Sequence, residues 1–287
     1  MINKSFLNTK NHFTAAEYFL KIFDIKEQKP SLKHVLEIIR QFSKLPYENL
    51  SKILKLNKKW DDFPNRFPEE IISDYDQFRL GGTCFSLIFF LKTILDFYEY
   101  ETHIIMADMK SGKNSHCALI LKYNSNEFLL DPGYLIHKPL LISKSPGNQN
   151  LSFIPASLVY NTENDKYSLF TFQNKNLKLR YSFRNISSFP ETFLKFWNSS
   201  FHWRTMHGIC LSKRDEISFT YLYNHYLKRE GAGIDFKGNF LDEIPEVVNN
   251  LFNIPSSLVQ KAEKALKNNL IYDKELGYKV PKWVSKR

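Results

Sequence analysis

The sequence predicts an α+β protein with an N-terminal helical bundle, a central antiparallel β-barrel and a C-terminal α/β lid. Three observations predict this fold. Apolar residues recur at helical spacing up to residue 97, β-type segments follow as far as about residue 224, and the last part returns to helical spacing. A chain of 287 residues is long enough to bury a sizeable core. The predicted domains are residues 1–98, 99–205 and 206–287.

Three helices are predicted in the N-terminal part. One begins at Ser31, a polar N-cap that follows Pro30. A second begins at Pro68, because proline is tolerated in the first turn of a helix. The third runs from Cys84 to about Phe97 and is apolar on nearly all sides, so we expect it to be buried.

The middle of the chain is rich in segments typical of strands, and one helix, PETFLKFWNSS, interrupts them. The segment FLDEIPEVVNNLFNIPSSLVQKAEKAL then predicts helix. The predicted strands are THIIMADM, HCALILKYN, EFLLDPGY, LSFIPASLVY, KYSLFTFQ, LKLRYSFR, MHGICLS and EISFTYL.

The formal net charge is +10, which allows three interpretations. Nucleic-acid binding is not predicted, because no nucleic-acid motif or dense basic block is present. A solvated, lysine-rich surface is the plainest interpretation. In the third, the basic surface attracts an anionic substrate, such as a phosphorylated cofactor or an acidic carrier.

The composition also bears on compartment and cofactors. No segment is long and apolar enough to span a membrane, and the first residues lack the apolar run of a signal peptide. Three cysteines, a small odd number, favour a reducing compartment over a disulfide framework. We therefore expect a cytoplasmic protein without a membrane partner. No CxxC or HExxH pattern is present, so no metal is predicted.

Three residues have contexts typical of a thiol nucleophile. Cys84 begins the apolar helix after Gly81-Gly82, His116 opens a strand, and Asp131 ends the next strand. A helix N-terminus and an imidazole both lower the pKa of a thiol, and a carboxylate fixes the imidazole tautomer. The glycines permit a close backbone approach and leave an N–H near Cys84 for an oxyanion. We therefore predict a Cys84–His116–Asp131 triad.

Each of these residues, taken singly, also has a purely structural interpretation, as a buried thiol, a core histidine or a turn aspartate. Their order and contexts together favour the nucleophile. Strand alternation places Cys117 on the opposite face from His116, where it would be buried and inert. Cys210 is interpreted in the same way. His103 and His137 are weaker candidates for the base.

These residues resemble the arylamine N-acetyltransferase family, which carries an Arg-Gly-Gly-aromatic-Cys turn, a His that opens a strand and an Asp-x-Gly-Phe segment. The family's Ile-Pro-Phe-Glu-Asn-Leu motif is similar to the segment from Leu45 to Leu50, LPYENL. The helix, barrel and lid order also fits that family and its cysteine-proteinase-like core. The counterparts in this chain are Gly81-Gly82-Thr83-Cys84, His116 and Asp131-Pro132-Gly133-Tyr134.

The resemblance implies a two-step acyl transfer. Cys84 would take an acetyl group from acetyl-coenzyme A and pass it to a small arylamine or hydrazine-like acceptor. The loop before His116 would contact the phosphates of the coenzyme. The residues implied for the coenzyme are Ser111, Gly112 and Lys113, and those implied for the acceptor pocket are Tyr47, Phe85 and Tyr134.

The chain departs from the family pattern around the thiol. Leu80 stands in the place of an arginine, Thr83 in that of an aromatic residue, and Ser86 in that of a glutamate. A buried Arg–Glu pairing at these positions is therefore predicted to be absent. The triad remains, but the residues that support its geometry are altered.

Two other functions are compatible with the same residues. A transglutaminase-like or papain-like thiol hydrolase, or an amide synthase using a carrier-protein thioester, shares the Cys, His, Asp order. A binding protein on a catalytically decayed fold is supported only by the altered neighbours of Cys84. The segment from Leu45 to Leu50 and the third domain favour the acyltransferase.

Overall fold

The protein contains two antiparallel sheets with helices packed beside them. The α+β class predicted from the sequence is confirmed. No helix in the described part of the chain is long and apolar enough to cross a membrane. The computed structural model describes residues 4–57, 64–132, 136–145, 147–149, 156–173, 176–214, 217–231 and 233–286.

The N-terminal part is helical, and its helix starts follow the local capping rules. The hydroxyl of Ser31 accepts a hydrogen bond from the His34 amide at 3.1 Å, which confirms the predicted N-cap. Pro68 occupies the first helical position, also as predicted. The elements are α1 (Phe13–Ile22), α2 (Leu32–Phe42), the short strand β1 (Tyr47–Glu48), α3 (Leu50–Leu56), α4 (Pro68–Phe78) and α5 (Cys84–Phe97), with 3₁₀ turns at Lys4–Leu7 and Thr9–His12.

The larger sheet contains eight described strands, all antiparallel, in the order β5-β4-β3-β2-β9-β8-β7-β6. The predicted central antiparallel sheet is therefore confirmed, and its closure into a barrel stays a prediction. The strands are β2 (Glu101–Met109), β3 (Gly112–Tyr123), β4 (Asn126–Asp131), β5 (Ile136–Leu141), β6 (Gly147–Gln149), β7 (Ala156–Asn161), β8 (Lys166–Gln173) and β9 (Asn176–Phe183).

The smaller sheet has the order β1-β10-β11-β12-β13, so a strand from the N-terminal part forms its edge. The side chain of Asn49 fixes this pairing by donating to the Gly208 carbonyl at 2.7 Å and accepting from the Cys210 amide at 2.9 Å. The other strands of this sheet are β10 (Cys210–Arg214), β11 (Ser218–Tyr223), β12 (Tyr226–Gly231) and β13 (Ile234–Asn239). The helix α6 (Pro190–Ser199) precedes them, and α7 (Ile244–Phe252) and α8 (Ser256–Glu275) follow. The 3₁₀ turns of this part are Ser200–His202, Arg204–Met206 and Lys282–Lys286.

Several strands differ from the sequence-based prediction. The hairpin of β12 and β13 was not predicted. Ile234 and Phe236 alternate with polar residues on β13, but this strand is short and almost wholly exposed. The strand β5 was also missed. The predicted strand MHGICLS begins only at Cys210, and residues 151–155 of LSFIPASLVY lie outside the described residues. The helical bundle, the lid and the three domain boundaries stay predictions.

The strand β3 is buried on both faces, which is typical of a strand between two layers. Its odd-numbered residues, from Cys117 to Leu121, belong to the core that packs on α5. Its even-numbered residues Ala118 and Ile120 belong to the core on the other side of the larger sheet. The start of α5 and the start of β3 therefore meet where Cys84 and His116 lie.

Candidate active site

The turn before Cys84 is held by a close approach to β1. A Cβ atom on Gly81 would lie 1.9 Å from the Pro46 carbonyl oxygen, and one on Gly82 would lie 2.5 Å from Ser86 Oγ. Only glycine fits at position 81, where the obstacle is backbone, and this is the close backbone approach that the sequence predicted. At position 82 a side chain would displace the Ser86 hydroxyl. The Glu48 amide donates to the Gly82 carbonyl at 3.0 Å and so joins the turn to β1.

Cys84 is the first residue of α5, so its amide N–H has no partner within the helix. Ser86, which stands in the place of the family's glutamate, caps this end. Its hydroxyl accepts from the Thr83 amide at 3.2 Å and donates to the Thr83 carbonyl at 2.9 Å. The thiol therefore lies at the positive end of the helix dipole, beside a backbone donor.

The structure brings the three predicted residues into contact. His116, near the start of β3, donates from Nε2 to Asp131 Oδ2 over 2.6 Å, and it also hydrogen-bonds to the thiol of Cys84. The two side chains of the His–Asp pair are almost fully buried. The imidazole therefore bridges the thiol and a carboxylate that water does not reach.

The electrostatics of the site favour a charged pair. The pKa of Cys84 lies well below that of an ordinary thiol. Cys117 lowers it most, burial raises it, and His116 and Lys52 lower it further. Burial by itself would lower the pKa of His116, but Asp131 and then the Cys84 thiolate raise it to about 10. At neutral pH the pair is therefore a thiolate beside an imidazolium.

Cys117 is buried, as predicted, but it is not remote from the site. Strand alternation correctly places its side chain away from that of His116, on the face that packs against α5. The first turn of α5 lies on that face, and Cys117 is the largest influence that lowers the pKa of Cys84. That Cys117 is inert stays a prediction.

Tyr181 completes the surroundings of the imidazole. Its hydroxyl donates to Asp131 Oδ2 over 3.1 Å, and its ring lies 4.8 Å from the His116 ring. Burial raises the pKa of Asp131, while His116 and Tyr181 oppose that rise. Tyr181 lies on β9 without any motif around it, so the sequence alone did not identify it.

Lys52 is a buried lysine near the thiol. Its Nζ donates to the Ser200 carbonyl at 3.0 Å and to the Ser200 hydroxyl at 2.5 Å, and it lies 4.4 Å from the centre of the Phe201 ring. Burial lowers its pKa to about 7, and the charge of Cys84 opposes that fall. Lys52 was not identified from the sequence, although it lies only two residues beyond the LPYENL segment.

A buried Arg–Glu pairing is present, although positions 80 and 86 do not supply it. Arg66 Nη1 donates to the Gly81 carbonyl at 2.5 Å and to Ser51 Oγ at 2.6 Å, and it lies 3.5 Å from Glu48 Oε1. Arg66 is 3% exposed and Glu48 is fully buried. Burial raises the pKa of Glu48, and the charge of Arg66 opposes that rise. The network therefore supports the glycine turn from a different part of the sequence.

The residues predicted for the acceptor pocket lie in different surroundings. Tyr47 is half-buried on β1 and pairs with Ser212 beside the glycine turn. Phe85 is fully buried and packs on Phe193 and Trp203. Tyr134 lies outside the described residues. The role of all three in binding an acceptor stays a prediction.

The residues predicted to contact the coenzyme are exposed: Ser111 lies in the turn between β2 and β3, and Gly112 and Lys113 begin β3. Ser111 Oγ lies 3.0 Å from Ser115 Oγ, which in turn donates to the Gly112 carbonyl at 2.7 Å. Lys113 is exposed. Burial by itself would raise the pKa of Asp108, but hydrogen bonds from Lys166 and the Asn114 amide, with the charges of Lys166 and Lys113, lower it. The turn is ordered by its own hydrogen bonds and leaves its lysine facing solvent.

Basic side chains from three segments converge near this turn. Partial burial, followed by the charges of Arg180, Lys228, Lys237 and Lys110, lowers the pKa of Lys178. Lys228 and Lys237 are paired across β12 and β13. We call these residues the cation cluster: Lys110, Lys178, Arg180, Lys228 and Lys237. The sequence did not reveal it, because its members are far apart in the chain.

Other titratable groups lie apart from the thiol. His103 Nε2 is 3.1 Å from Asn185 Oδ1, and burial lowers its pKa. His137 lies buried on β5. Within the described ranges, no group of three or more His, Cys, Asp or Glu side chains is arranged to hold a metal ion.

Comparison with known proteins gives a likeness of fold. The sequence matches no family model and no curated protein. The structure is similar to the arylamine N-acetyltransferase from Mycobacterium abscessus, with a TM-score of 0.73 and 13% identity over 87% of this chain and 94% of that one. The enzyme from M. tuberculosis is similar with a TM-score of 0.72 and 17% identity, over 87% of this chain and 98% of that one. The M. marinum enzyme in complex with CoA has a TM-score of 0.71 and 15% identity, over 86% of this chain and 97% of that one. The resemblance seen in the sequence is confirmed for the fold.

Proposed function

We propose that the protein is an acyltransferase of the arylamine N-acetyltransferase type, which moves an acyl group from a coenzyme A thioester to an amine. The observation that carries the proposal is the hydrogen-bonded Cys84–His116–Asp131 arrangement at a helix N-terminus. It occurs in a fold shared with arylamine N-acetyltransferases, one of which has been solved with CoA bound.

The first half-reaction is acylation of the thiol. The Cys84 thiolate attacks the carbonyl carbon of the thioester, and the carbonyl oxygen becomes an oxyanion that the Cys84 amide N–H can bind. The bond from carbon to the coenzyme sulfur then breaks. The His116 imidazolium gives its proton to the departing thiolate, so acyl-enzyme and neutral imidazole remain.

The second half-reaction returns the site to its starting state. The amine attacks the acyl carbon, neutral His116 takes the proton from the amine nitrogen, and the Cys84 thiolate leaves. Asp131 accepts from the other ring nitrogen throughout and, with Tyr181, fixes the orientation of the ring. The same imidazole therefore serves as acid and then as base.

Intact-protein mass spectrometry after mixing with a panel of acyl thioesters tests this proposal. We expect the mass to rise by that of one acyl group, the adduct to leave on addition of an amine, and Cys84→Ala to gain nothing. Cys210→Ala is the matched control and should be acylated normally. Acylation followed by release of free acid whether or not an amine is present would instead identify a thiol hydrolase. No adduct from any thioester would contradict acyl transfer.

The buried ammonium of Lys52 is assigned to stabilising the thiolate. Replacing it with methionine keeps the length of the side chain but removes the positive charge, so the pKa of Cys84 should rise. The measurement is the pH midpoint of iodoacetamide alkylation. Lys55→Met, on the same helix but paired with Glu70, should leave the midpoint unchanged. An unchanged midpoint in folded Lys52→Met would contradict the assignment.

The cation cluster is assigned to the phosphate groups of the coenzyme. An anion bound there would relieve the repulsion that the other four cations exert on Lys178 and would form charge-assisted hydrogen bonds. The double change Lys178→Gln, Arg180→Gln should raise the KM for acyl-coenzyme A by roughly tenfold and weaken its salt dependence. Iodoacetamide alkylation of Cys84 should not change.

The control for this prediction is Lys122→Gln, which removes a cation from an exposed ion pair with Glu101. It should leave the KM for acyl-coenzyme A unaltered. If the double variant and the control have the same KM as the unmodified protein, the phosphates bind elsewhere.

A further inference from the structure

The strand β13 forms one edge of the smaller sheet, and within the described part of the chain no strand pairs with its outer side. Five of its six residues, from Ile234 to Asn239, are exposed. An edge strand is a template for pairing with another chain unless a proline, a bulge or charges of one sign protect it. This strand contains no proline, its pairing with β12 has no bulge, and its two charges have opposite signs.

The ladder with β12 shows which backbone groups of β13 point outward. The Phe240 amide donates to the His225 carbonyl at 2.9 Å, one step beyond the last residue pair of the ladder. Hydrogen-bonded and non-hydrogen-bonded pairs alternate along antiparallel strands. Counted back from that bond, the backbone of Phe236 faces β12. The N–H and C=O groups of Asp235 and Lys237 therefore point away from the sheet.

The charges on β13 do not match those on β12. Asp235 lies opposite the acidic Glu230. Lys237 lies opposite Lys228, so both cross-strand pairs have like charges and weaken the hairpin. Lys228 and Glu230 are joined to each other along β12 over 2.7 Å. Among the described residues, no ion pair includes Asp235 or Lys237.

We propose that β13 pairs antiparallel with β13 of a second copy of the chain, about a two-fold axis at Phe236, so that a homodimer shares one continuous sheet. In this register Asp235 of each copy lies opposite Lys237 of the other, and their outward N–H and C=O groups bond to each other. An axis at Asp235 or at Lys237 would instead set that charge opposite its own copy. The inference goes beyond acyl transfer and does not depend on it.

The apolar residues of β13 fit the same register. Ile234 and Phe236 lie on the face opposite the charges and are 38% and 42% exposed. The axis places the two Phe236 rings beside each other and Ile234 opposite Gly238 of the other copy. A Cβ atom on Gly238 would lie 3.7 Å from the tip of the Phe236 ring, so this glycine leaves room for the isoleucine. Aromatic and apolar cross-strand pairs stabilise a sheet.

Sedimentation equilibrium of the full chain tests the inference. A single pair of strands is a small interface, so we expect a dimer that dissociates on dilution, with a Kd roughly in the micromolar range. Asp235→Lys sets lysines opposite each other and should raise the Kd by about tenfold or more. Lys237→Asp should do the same by opposing two carboxylates. The double change Asp235→Lys, Lys237→Asp exchanges the charges and should restore the dimer.

The same variants separate loss of the interface from loss of the fold. In Asp235→Lys the new ammonium lies opposite Glu230, so the cross-strand pair within the hairpin becomes favourable. At a protein concentration below the Kd, its urea midpoint should be at least that of the unmodified protein, although the dimer is lost. Lys237 also belongs to the cation cluster, so dimerisation is followed by mass and not by the KM for acyl-coenzyme A.

Cysteine cross-linking tests the register. Residues opposite each other in a non-hydrogen-bonded pair have Cα atoms about 4.5 Å apart, which suits a disulfide. Phe236→Cys should therefore give a covalent dimer on mild oxidation, with the bond located at position 236 by peptide mapping. Ile234→Cys is the matched control, since it lies on the same face and is similarly exposed, but the axis keeps its two copies apart. It should not cross-link to itself.

A chain that stays monomeric up to about 1 mM contradicts the inference. So does a dimer whose Kd is unchanged in both single variants, or a double variant that stays monomeric. Cross-linking through Ile234→Cys as readily as through Phe236→Cys would exclude the proposed register. Acylation of Cys84 is measured separately on the same protein, so failure of the dimer is distinguishable from failure of acyl transfer.

Discussion

Replacing His116 with asparagine is expected to lower kcat/KM for acyl transfer by about a thousandfold or more, since the residue serves as acid, base and counter-ion. Asparagine occupies a similar volume but carries no charge. The rate is measured with acetyl-coenzyme A and an arylamine. His12→Asn is the control, because His12 is also buried against a carboxylate, that of Glu69, while its ring packs on Phe89, further along α5 than the thiol.

The pH profile of this variant separates loss of charge from loss of structure. The pKa of Cys84 is lowered in the folded protein, so alkylation of the unmodified enzyme should be constant near neutral pH and fall only when the pH drops through that lowered value. In His116→Asn the profile should move toward the pKa of an ordinary thiol, about 8.5. A profile that does not move would contradict the proposed ion pair.

Removing the Arg66 guanidinium is expected to have the largest effect on stability. Arg66→Met leaves the Glu48 carboxyl buried without a cation and frees the Gly81 carbonyl. Loss of one partner from a buried ion pair costs about 3–5 kcal/mol. Urea unfolding should therefore show a much lower midpoint. Alkylation of Cys84 should also slow, because the glycine turn that presents the thiol loses its support.

The control for Arg66→Met is Lys122→Met, which breaks the exposed pair with Glu101. An exposed pair contributes only about 0–1 kcal/mol, so its unfolding midpoint should hardly change. Equal midpoints for the two variants would show that the Arg66 network does not stabilise the turn. Arg66→Lys retains the charge but not the planar fork, and it should fall between them.

The triad was predictable because each of its members has an informative local context. Cys84 follows two glycines at a helix start, and Asp131 ends β4. His116 was predicted to open its strand but is the fifth residue of β3, which begins at Gly112. Pairing of β3 with β4 then brings the last two together. Helix caps and strand ends depend on a few adjacent residues, and these rules also predicted the helix starts at Ser31 and Pro68.

The supporting residues were not predictable, because tertiary contacts alone bring them to the site. Lys52 is held by Ser200, which is 148 residues away. Tyr181 reaches Asp131 over 50 residues, from a strand whose sequence looks ordinary. Arg66 donates to the Gly81 carbonyl from 15 residues upstream. A pattern of local periodicity contains no information on such pairs.

The edge strand β1 is synthesised long before the strand with which it pairs. Asn49 bonds to the Cys210 backbone, 161 residues further along the chain. Ribosomes add roughly 5–20 residues per second, so the delay between synthesis of β1 and synthesis of β10 is roughly 8–30 s. Until then the segment that braces the glycine turn is paired on one side only, by Gly82. A nascent chain therefore gains a fully braced nucleophile only late in its synthesis, and a chain that stops before β10 never gains one.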